Sequence, residues 1–71
     1  MIGSNEIEKR FTAQKVTREQ ANAQGHIRSW AKHQANFIDS HVPDGREKSI
    51  ALTKLEEFVM WANKGIARGG E

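Results

Sequence analysis

The sequence predicts an all-α fold in which two long helices form an antiparallel hairpin. Two long segments carry apolar residues at three- and four-residue spacing, which is the period of an amphipathic helix. Pro43-Asp44-Gly45 separates these segments, and this combination is typical of a tight turn. No segment shows the polar and apolar alternation of a half-buried strand. We therefore expect a single helical domain, residues 1–71.

The first long helix is predicted at about residues 18–40. Thr17 is followed three residues later by Gln20, which is the pattern of a capping box. Gly25 lies inside this helix at a cost of about 1 kcal/mol relative to alanine. It either permits close approach of a helix or ligand or is simply tolerated. The apolar stripe comprises Ala23, Ile27, Trp30, Ala31, Phe37, Ile38 and His41.

The second long helix is predicted at about residues 45–68. Asp44 is the expected N-cap, with Glu47 three residues later, and Gly69 follows the last turn. The main apolar face comprises Ala51, Leu52, Leu55, Val59, Ala62 and Ile66. A short helix is predicted at about residues 4–11, before an irregular connector.

The small size of the chain predicts association. Seventy-one residues bury a modest core, and without cysteine neither disulfides nor thiolate metal sites are available. The three histidines are too widely spaced to indicate zinc, so we expect no metal and no cofactor. Phe58 and Trp61 lie at the margins of the apolar face and leave a partly apolar surface. A compact homo-oligomer is the expected outcome.

Charge and motifs exclude several classes of function. The net charge is +2, without the dense basic stripe of a duplex binder, so no DNA partner is expected. No window approaches the roughly 18 apolar residues of a membrane span, and we expect a soluble, intracellular protein. Glu56 and Glu57 point about 100° apart on a helix and do not converge. With no phosphate-binding glycine loop either, we expect no catalytic residues and no enzyme.

Several side chains are suited to binding. Arg28 and Lys32 are four residues apart and form a positive pair on one face of the helix. The pair either binds an anion or an acidic partner or is exposed to solvent. Phe11 either packs into the hairpin core or covers a ligand. On the second helix, Lys54, Trp61 and Arg68 are spaced seven residues apart and share one face. Such a face suits a ligand with a base and a phosphate. The alternative is that Trp61 packs in the core or in an interface.

The second helix carries a more specific signal. The run Arg46–Asn63, continued by Ile66–Arg68, closely resembles a segment of the phage anti-CBASS nucleotide-sponge family. It is also similar to the helical C-terminal part of a Thoeris anti-defence sponge. The resemblance implies a small helical protein that assembles as a homohexamer. It would bind cyclic dinucleotides between protomers, and some members of the family also bind cyclic trinucleotides at a separate site.

The same resemblance implies the function and its location. Such a protein sequesters cyclic-oligonucleotide immune messengers without cleaving them, in the cytoplasm of the infected bacterial host, and so blocks CBASS effectors. Two alternatives stay open. The first is a helical oligomer that binds a protein partner through Phe58 and Trp61. The second is a small nucleic-acid binder.

The resemblance also implies a set of ligand-binding residues. Lys32 falls where relatives place a lysine that meets the ligand phosphate, and Phe11, Arg28 and Arg68 match further positions of the pattern. Residues 12–16 depart from it, because they contain neither the aromatic nor the prolines of the relatives. Near Ala13 the stacking aromatic is therefore missing, and Phe11 is the local substitute.

Overall fold

The structure is a computed structural model that describes residues 3–11 and 15–69, apart from the side chain of Lys9. It contains α1 (Ser4–Phe11), α2 (Arg18–His41) and α3 (Arg46–Arg68). No strand occurs within the described ranges, so the predicted all-α fold is confirmed. Residues 12–14 of the predicted connector, including the position of the missing aromatic, lie outside the described residues.

Helix α2 begins with the predicted capping box. The backbone N–H of Gln20 donates to the Thr17 hydroxyl at 3.1 Å, and the Thr17 N–H donates to the Gln20 side-chain oxygen at 2.9 Å. These two bonds satisfy donors that the first helical turn leaves without partners. The helix ends at His41, one residue later than predicted, where the N–H of Val42 donates to Ile38 at 2.9 Å.

The core lies between α2 and α3, which pack against each other as an antiparallel hairpin. Ala31 is the one buried apolar residue in the described part of the chain. Around it, the half-buried apolar side chains include Ile27, Ile38, Leu52, Leu55, Val59, Ala62 and Ile66. Among the described residues, α1 makes no close approach to α2 or α3. Two helices alone therefore enclose a thin core.

Part of the predicted apolar stripe on α2 stays exposed. Trp30 is 50% exposed and Phe37 is 58% exposed. Phe37 stacks on the His41 ring of its own helix, with ring centroids 4.0 Å apart, instead of packing on α3. One partner helix covers only one side of a stripe that is more than about 100° wide, which explains this exposure.

Two glutamines join the helices at the end of the hairpin opposite the turn. The side-chain amide of Gln20 donates to the backbone carbonyl of Ile66 at 3.0 Å. One turn further along α2, the amide of Gln24 donates to the carbonyl of Asn63 at 2.9 Å. Both acceptors are backbone groups of α3, so these bonds fix the relative position of the two helices.

The N-cap of α3 differs from the prediction. Asp44 is not the cap: the helix begins after Gly45, whose φ is 151° and ψ is −172°, and no side chain bonds to the first turn. This backbone conformation is essentially restricted to glycine. The Asp44 carboxylate instead accepts from the Lys48 ammonium at 2.9 Å. An ion pair with a buried lysine replaces the cap.

Lys48 ties the turn to the end of α2. Its side chain, only 11% exposed, donates to the backbone carbonyl of Asp39 at 2.8 Å and lies 3.0 Å from the Asp39 carboxylate. The hydrogen bond and the positive charge of Lys48 lower the pKa of the Asp44 carboxyl below its ordinary 3.8. Hydrogen bonds to Asp44 and Asp39 raise the pKa of the Lys48 ammonium above 10.5. The lysine therefore stays charged while it is buried.

Candidate ligand-binding groove

A groove of about 670 Å³ lies between α2 and α3, midway along the hairpin. This volume falls within the roughly 300–1,000 Å³ of small-molecule sites. One wall comes from α2 and the other from α3, and the floor is apolar. The lining residues are Arg28, Ser29, Ala31, Lys32, Ala35, Leu52, Leu55, Glu56 and Val59.

Helical spacing explains why these side chains meet. On α2, Arg28 and Lys32 are four residues apart, and on α3 Leu52 and Glu56 have the same spacing. Residues three or four apart lie on one face of a helix, so each helix contributes one row of side chains. The antiparallel packing then places the α2 cations across from the α3 row.

The two cations of the groove have no acidic partner within the described part of the chain. Both side chains are exposed, and the ion pairs of the described residues use Arg10, Lys48 and Lys54 instead. The Arg28 guanidinium turns back along its own helix: a Cβ added to Gly25 would lie 3.9 Å from its Nη2. The groove thus offers two positive groups close to an apolar floor.

Glu56 is a lining residue that the sequence reasoning did not select. In the sequence it stands beside Glu57, and the two carboxylates do not converge on a helix. The structure separates the two: Glu57 accepts from Lys54 at 3.4 Å, whereas Glu56 lines the groove. Its position four residues after Leu52, which lies on the apolar face, is the signal that could have identified it.

Phe11 lies away from the groove. It is the last residue of α1 and is 84% exposed, and in the described residues α1 does not approach the hairpin. The chain itself therefore does not bring Phe11 together with Arg28 and Lys32.

Arg68 also lies outside the groove, in the last turn of α3. It is nine residues beyond Val59, which corresponds to about 13 Å along the helix axis. The residue is half-buried, and its Nε has no hydrogen-bond partner among the described residues. The Oδ1 atom of Asn63, five residues earlier, is also buried and has no hydrogen-bond partner in the described part of the chain. Of the four predicted site residues, the structure brings together two.

Aromatic residues lie on the opposite side of the hairpin. Trp30 contacts Phe58 across the two helices, with ring centroids 5.4 Å apart. Trp30 is two residues from Lys32 and Phe58 is two residues from Glu56, so each ring lies roughly 160° around its helix from that charged groove residue. Trp61, 62% exposed, carries the Lys64 ammonium 5.6 Å from its ring centroid. We call Trp30, Phe58 and Trp61 the aromatic face.

The predicted face of Lys54, Trp61 and Arg68 on α3 has a cation over its tryptophan, but that cation is a different lysine. Lys54 pairs with Glu57, and the cation over Trp61 is Lys64 instead of Lys54 or Arg68. Elsewhere in the described ranges, no group of three His, Cys, Asp or Glu side chains is placed to hold a metal ion. No helix of residues 3–11 and 15–69 has the length and apolar character needed to cross a membrane.

Comparison with protein families gives a match over most of the chain. The family model of the Acb2/Tad1 hairpin domain matches residues 4–67, which include all three helices almost in full. Searches of curated proteins and of solved structures give no match. Because the family model covers far more than half of the chain, the protein belongs to the Acb2/Tad1 hairpin-domain family, the anti-CBASS and anti-Thoeris sponges of phages that bind cyclic oligonucleotides.

Proposed function

We propose that this protein binds cyclic di- and trinucleotide immune messengers and sequesters them without cleavage. In the cytoplasm of the infected bacterial host this would prevent activation of CBASS effectors. The observation that carries the proposal is the position of Arg28 and Lys32, two cations without acidic partners, on one wall of an apolar-floored groove. Family membership gives the chemical class of the ligand.

The groove matches the chemistry of a cyclic nucleotide. Charge-assisted hydrogen bonds from arginine and lysine to phosphate are stronger than neutral ones. The apolar side chains of the floor, such as Ala35 and Val59, suit the faces of bases. To sequester a nucleotide, the protein needs only to bind it tightly, and the two cations beside an apolar floor provide the binding contacts. No proton transfer or nucleophile is needed.

We propose that the functional form is a homo-oligomer, a hexamer as in the family. The thin core and the exposed aromatic face support this, because small domains with little buried surface are stabilised by association. A two-fold axis would present Arg28 and Lys32 twice, which matches the two phosphates of a cyclic dinucleotide. A second copy would also cover the open groove and exclude water, which strengthens contacts between charges.

Assembly also gives Phe11 and Arg68 a role. Phe11 is exposed at the end of α1, so we propose that it stacks on a base held in the groove of another copy. Arg68 lies too far along α3 for the groove, so we propose that it serves a second site, for cyclic trinucleotides. Its Nε is a buried donor without a partner in the described residues.

Calorimetry with a panel of cyclic di- and trinucleotides tests the binding function. Lys32→Ala and Arg28→Ala should each weaken dinucleotide affinity by about 10- to 100-fold, because each removes a hydrogen bond to a charged group. Lys54→Ala is the matched control, since Lys54 lies outside the groove and pairs with Glu57. A folded sample that binds no member of the panel would refute the proposal.

Two further measurements separate sequestration from other activities. Nucleotide released by heating the complex should be intact and should again activate a purified CBASS effector; recovery of a linear product would refute sequestration without cleavage. Mixed DNA or RNA tests the nucleic-acid alternative. Binding that weakens steeply with salt would favour that alternative over the sponge.

A further inference from the structure

Glu56 is the acidic group of an otherwise cationic groove. It projects from the α3 wall, and Arg28 and Lys32 project from the α2 wall. Within the described residues Glu56 has no ion pair, although a lysine two residues before it, Lys54, pairs with Glu57 instead. A carboxylate here repels phosphate and accepts hydrogen bonds, so its place in the groove suits a ligand group that donates them.

A nucleotide provides such a group at the end opposite its phosphate. Packed helix axes are about 8–10 Å apart, so a ligand that spans the groove meets both walls. With its phosphate on the α2 cations, the sugar and the base face cross the floor of Ala31, Leu55 and Val59. The edge of the base then faces Glu56.

The carboxylate distinguishes between purine bases. Guanine presents two adjacent donors, N1–H and the N2 amino group, which match the two oxygens of an ionised carboxylate. Adenine presents one donor, the N6 amino group, beside an acceptor, N1. The carboxylate therefore pairs with guanine through two hydrogen bonds, whereas with adenine one oxygen faces a lone pair.

We propose that Glu56 is a specificity-determining residue that makes the groove prefer guanine-containing cyclic dinucleotides to those that contain adenine alone. This inference rests on the proposed function, because it assigns a base preference to the same groove. A bidentate pair between a side chain and a base discriminates by about 1–3 kcal/mol, which is about 5- to 150-fold in affinity.

Calorimetry with cyclic di-GMP and cyclic di-AMP on the full chain tests the inference. The wild type should bind cyclic di-GMP at least about fivefold more tightly. Glu56→Gln should reverse the preference, because an amide presents an acceptor beside a donor and so matches adenine. Glu57→Gln is the control: the residue is adjacent, pairs with Lys54 and does not line the groove. It should keep the wild-type preference.

The possible failures are distinct. Equal affinity of the wild type for both ligands, or a preference that Glu56→Gln leaves unchanged, overturns this inference and leaves the proposed function standing. A variant that binds both ligands more tightly by the same factor also overturns it, because Glu56 then only repels phosphate. A folded wild type that binds neither ligand overturns the proposed function, and with it this inference. Helicity by circular dichroism establishes folding in each case.

Discussion

The Lys48 ammonium on α3 donates to the backbone carbonyl of Asp39 on α2, 2.8 Å away. The same nitrogen contacts the carboxylates of Asp39 and Asp44, at 3.0 and 2.9 Å. Two donors of the ammonium make hydrogen bonds, to the Asp39 carbonyl and the Asp44 carboxylate, and the Asp39 carboxylate adds an ion pair. One side chain thus joins the end of α2, the turn and the first turn of α3.

The first prediction concerns the pH dependence of this contact. Because the pKa of Asp44 is lowered in the folded state, its contribution to stability is present above its unfolded value, near 3.8, and is lost as the pH falls through the folded value. The raised pKa of Lys48 acts in the opposite direction. Its contribution is present below about 10.5 and is lost as the pH rises through the folded value.

Lys48→Met should therefore lower the free energy of unfolding at pH values between the titrations of Asp44 and Lys48. The difference in stability from the wild type should shrink as the pH falls and Asp44 becomes protonated. Urea unfolding from pH 2 to pH 8 measures this. Lys54→Met is the control, because that lysine is 70% exposed in a pair that contributes little. A deficit of Lys48→Met that stays constant down to pH 2 contradicts the prediction.

The second prediction is that Gly45→Ala destabilises the hairpin. A side chain at φ 151° and ψ −172° is strained, at a cost of about 1–3 kcal/mol. A Cβ at this position would meet no atom within 4 Å, so the cost arises from the backbone alone. Thermal unfolding should show a lower midpoint, and an unchanged midpoint would contradict the cap geometry.

The third prediction is that Gly25→Ala stabilises the protein. Gly25 lies in the interior of α2 with an ordinary helical backbone, and an added Cβ would only touch the end of the Arg28 side chain at 3.9 Å. Alanine should therefore gain up to about 1 kcal/mol of stability from helix propensity. Chemical denaturation provides the measurement. Destabilisation would mean that the glycine permits a close approach by another molecule.

The fourth prediction compares the two cross-helix glutamines. Gln20→Ala removes the bond to Ile66 and also the capping-box bond from the Thr17 N–H. Gln24→Ala removes only the bond to Asn63. Each lost bond costs about 0.5–1.5 kcal/mol, so Gln20→Ala should be the more destabilising variant. Denaturant titrations of both variants decide this, and equal losses would show that the cap adds nothing.

The fifth prediction concerns assembly. If the aromatic face joins copies of the chain, Trp30→Lys should reduce the oligomer while the helices remain folded, because a charge replaces exposed apolar surface. Sedimentation velocity measures the assembly. Lys32→Ala, on the other side of α2, is the control and should sediment like the wild type. An unchanged oligomer in Trp30→Lys would place the interface elsewhere.

Local sequence signals predict most of the fold. Thr17 with Gln20, the Pro43–Gly45 turn and the terminal Gly69 mark the helix limits to within about one residue, because each acts through short-range backbone geometry. The prediction that Asp44 caps α3 was wrong because a contact between the two helices competes with the cap. Lys48 is already held by Asp39 of the other helix, and it draws the Asp44 carboxylate to itself.

The candidate site was harder to predict. The spacing of Arg28 and Lys32 shows that they share a face, but only the packing of α3 shows that a groove lies beside them. In the sequence, Glu56 is one of two adjacent carboxylates that do not converge, and nothing in the spacing shows that it lines a groove. The roles proposed for Phe11 and Arg68 depend on contacts with other copies, and the periodicity of one chain gives no information about such contacts.

The separation of the groove from the aromatic face has an evolutionary consequence. Residues more than about 7–10 Å apart without shared partners usually act additively. If ligand binds in the groove and copies meet at the aromatic face, exchanges at Glu56 or Lys32 would alter what is captured and leave the contacts of Trp30 unchanged. Under the proposed function, a phage facing a host that changes its signalling molecule could adapt through substitutions in one row of side chains, and the surface proposed for assembly would be inherited unchanged.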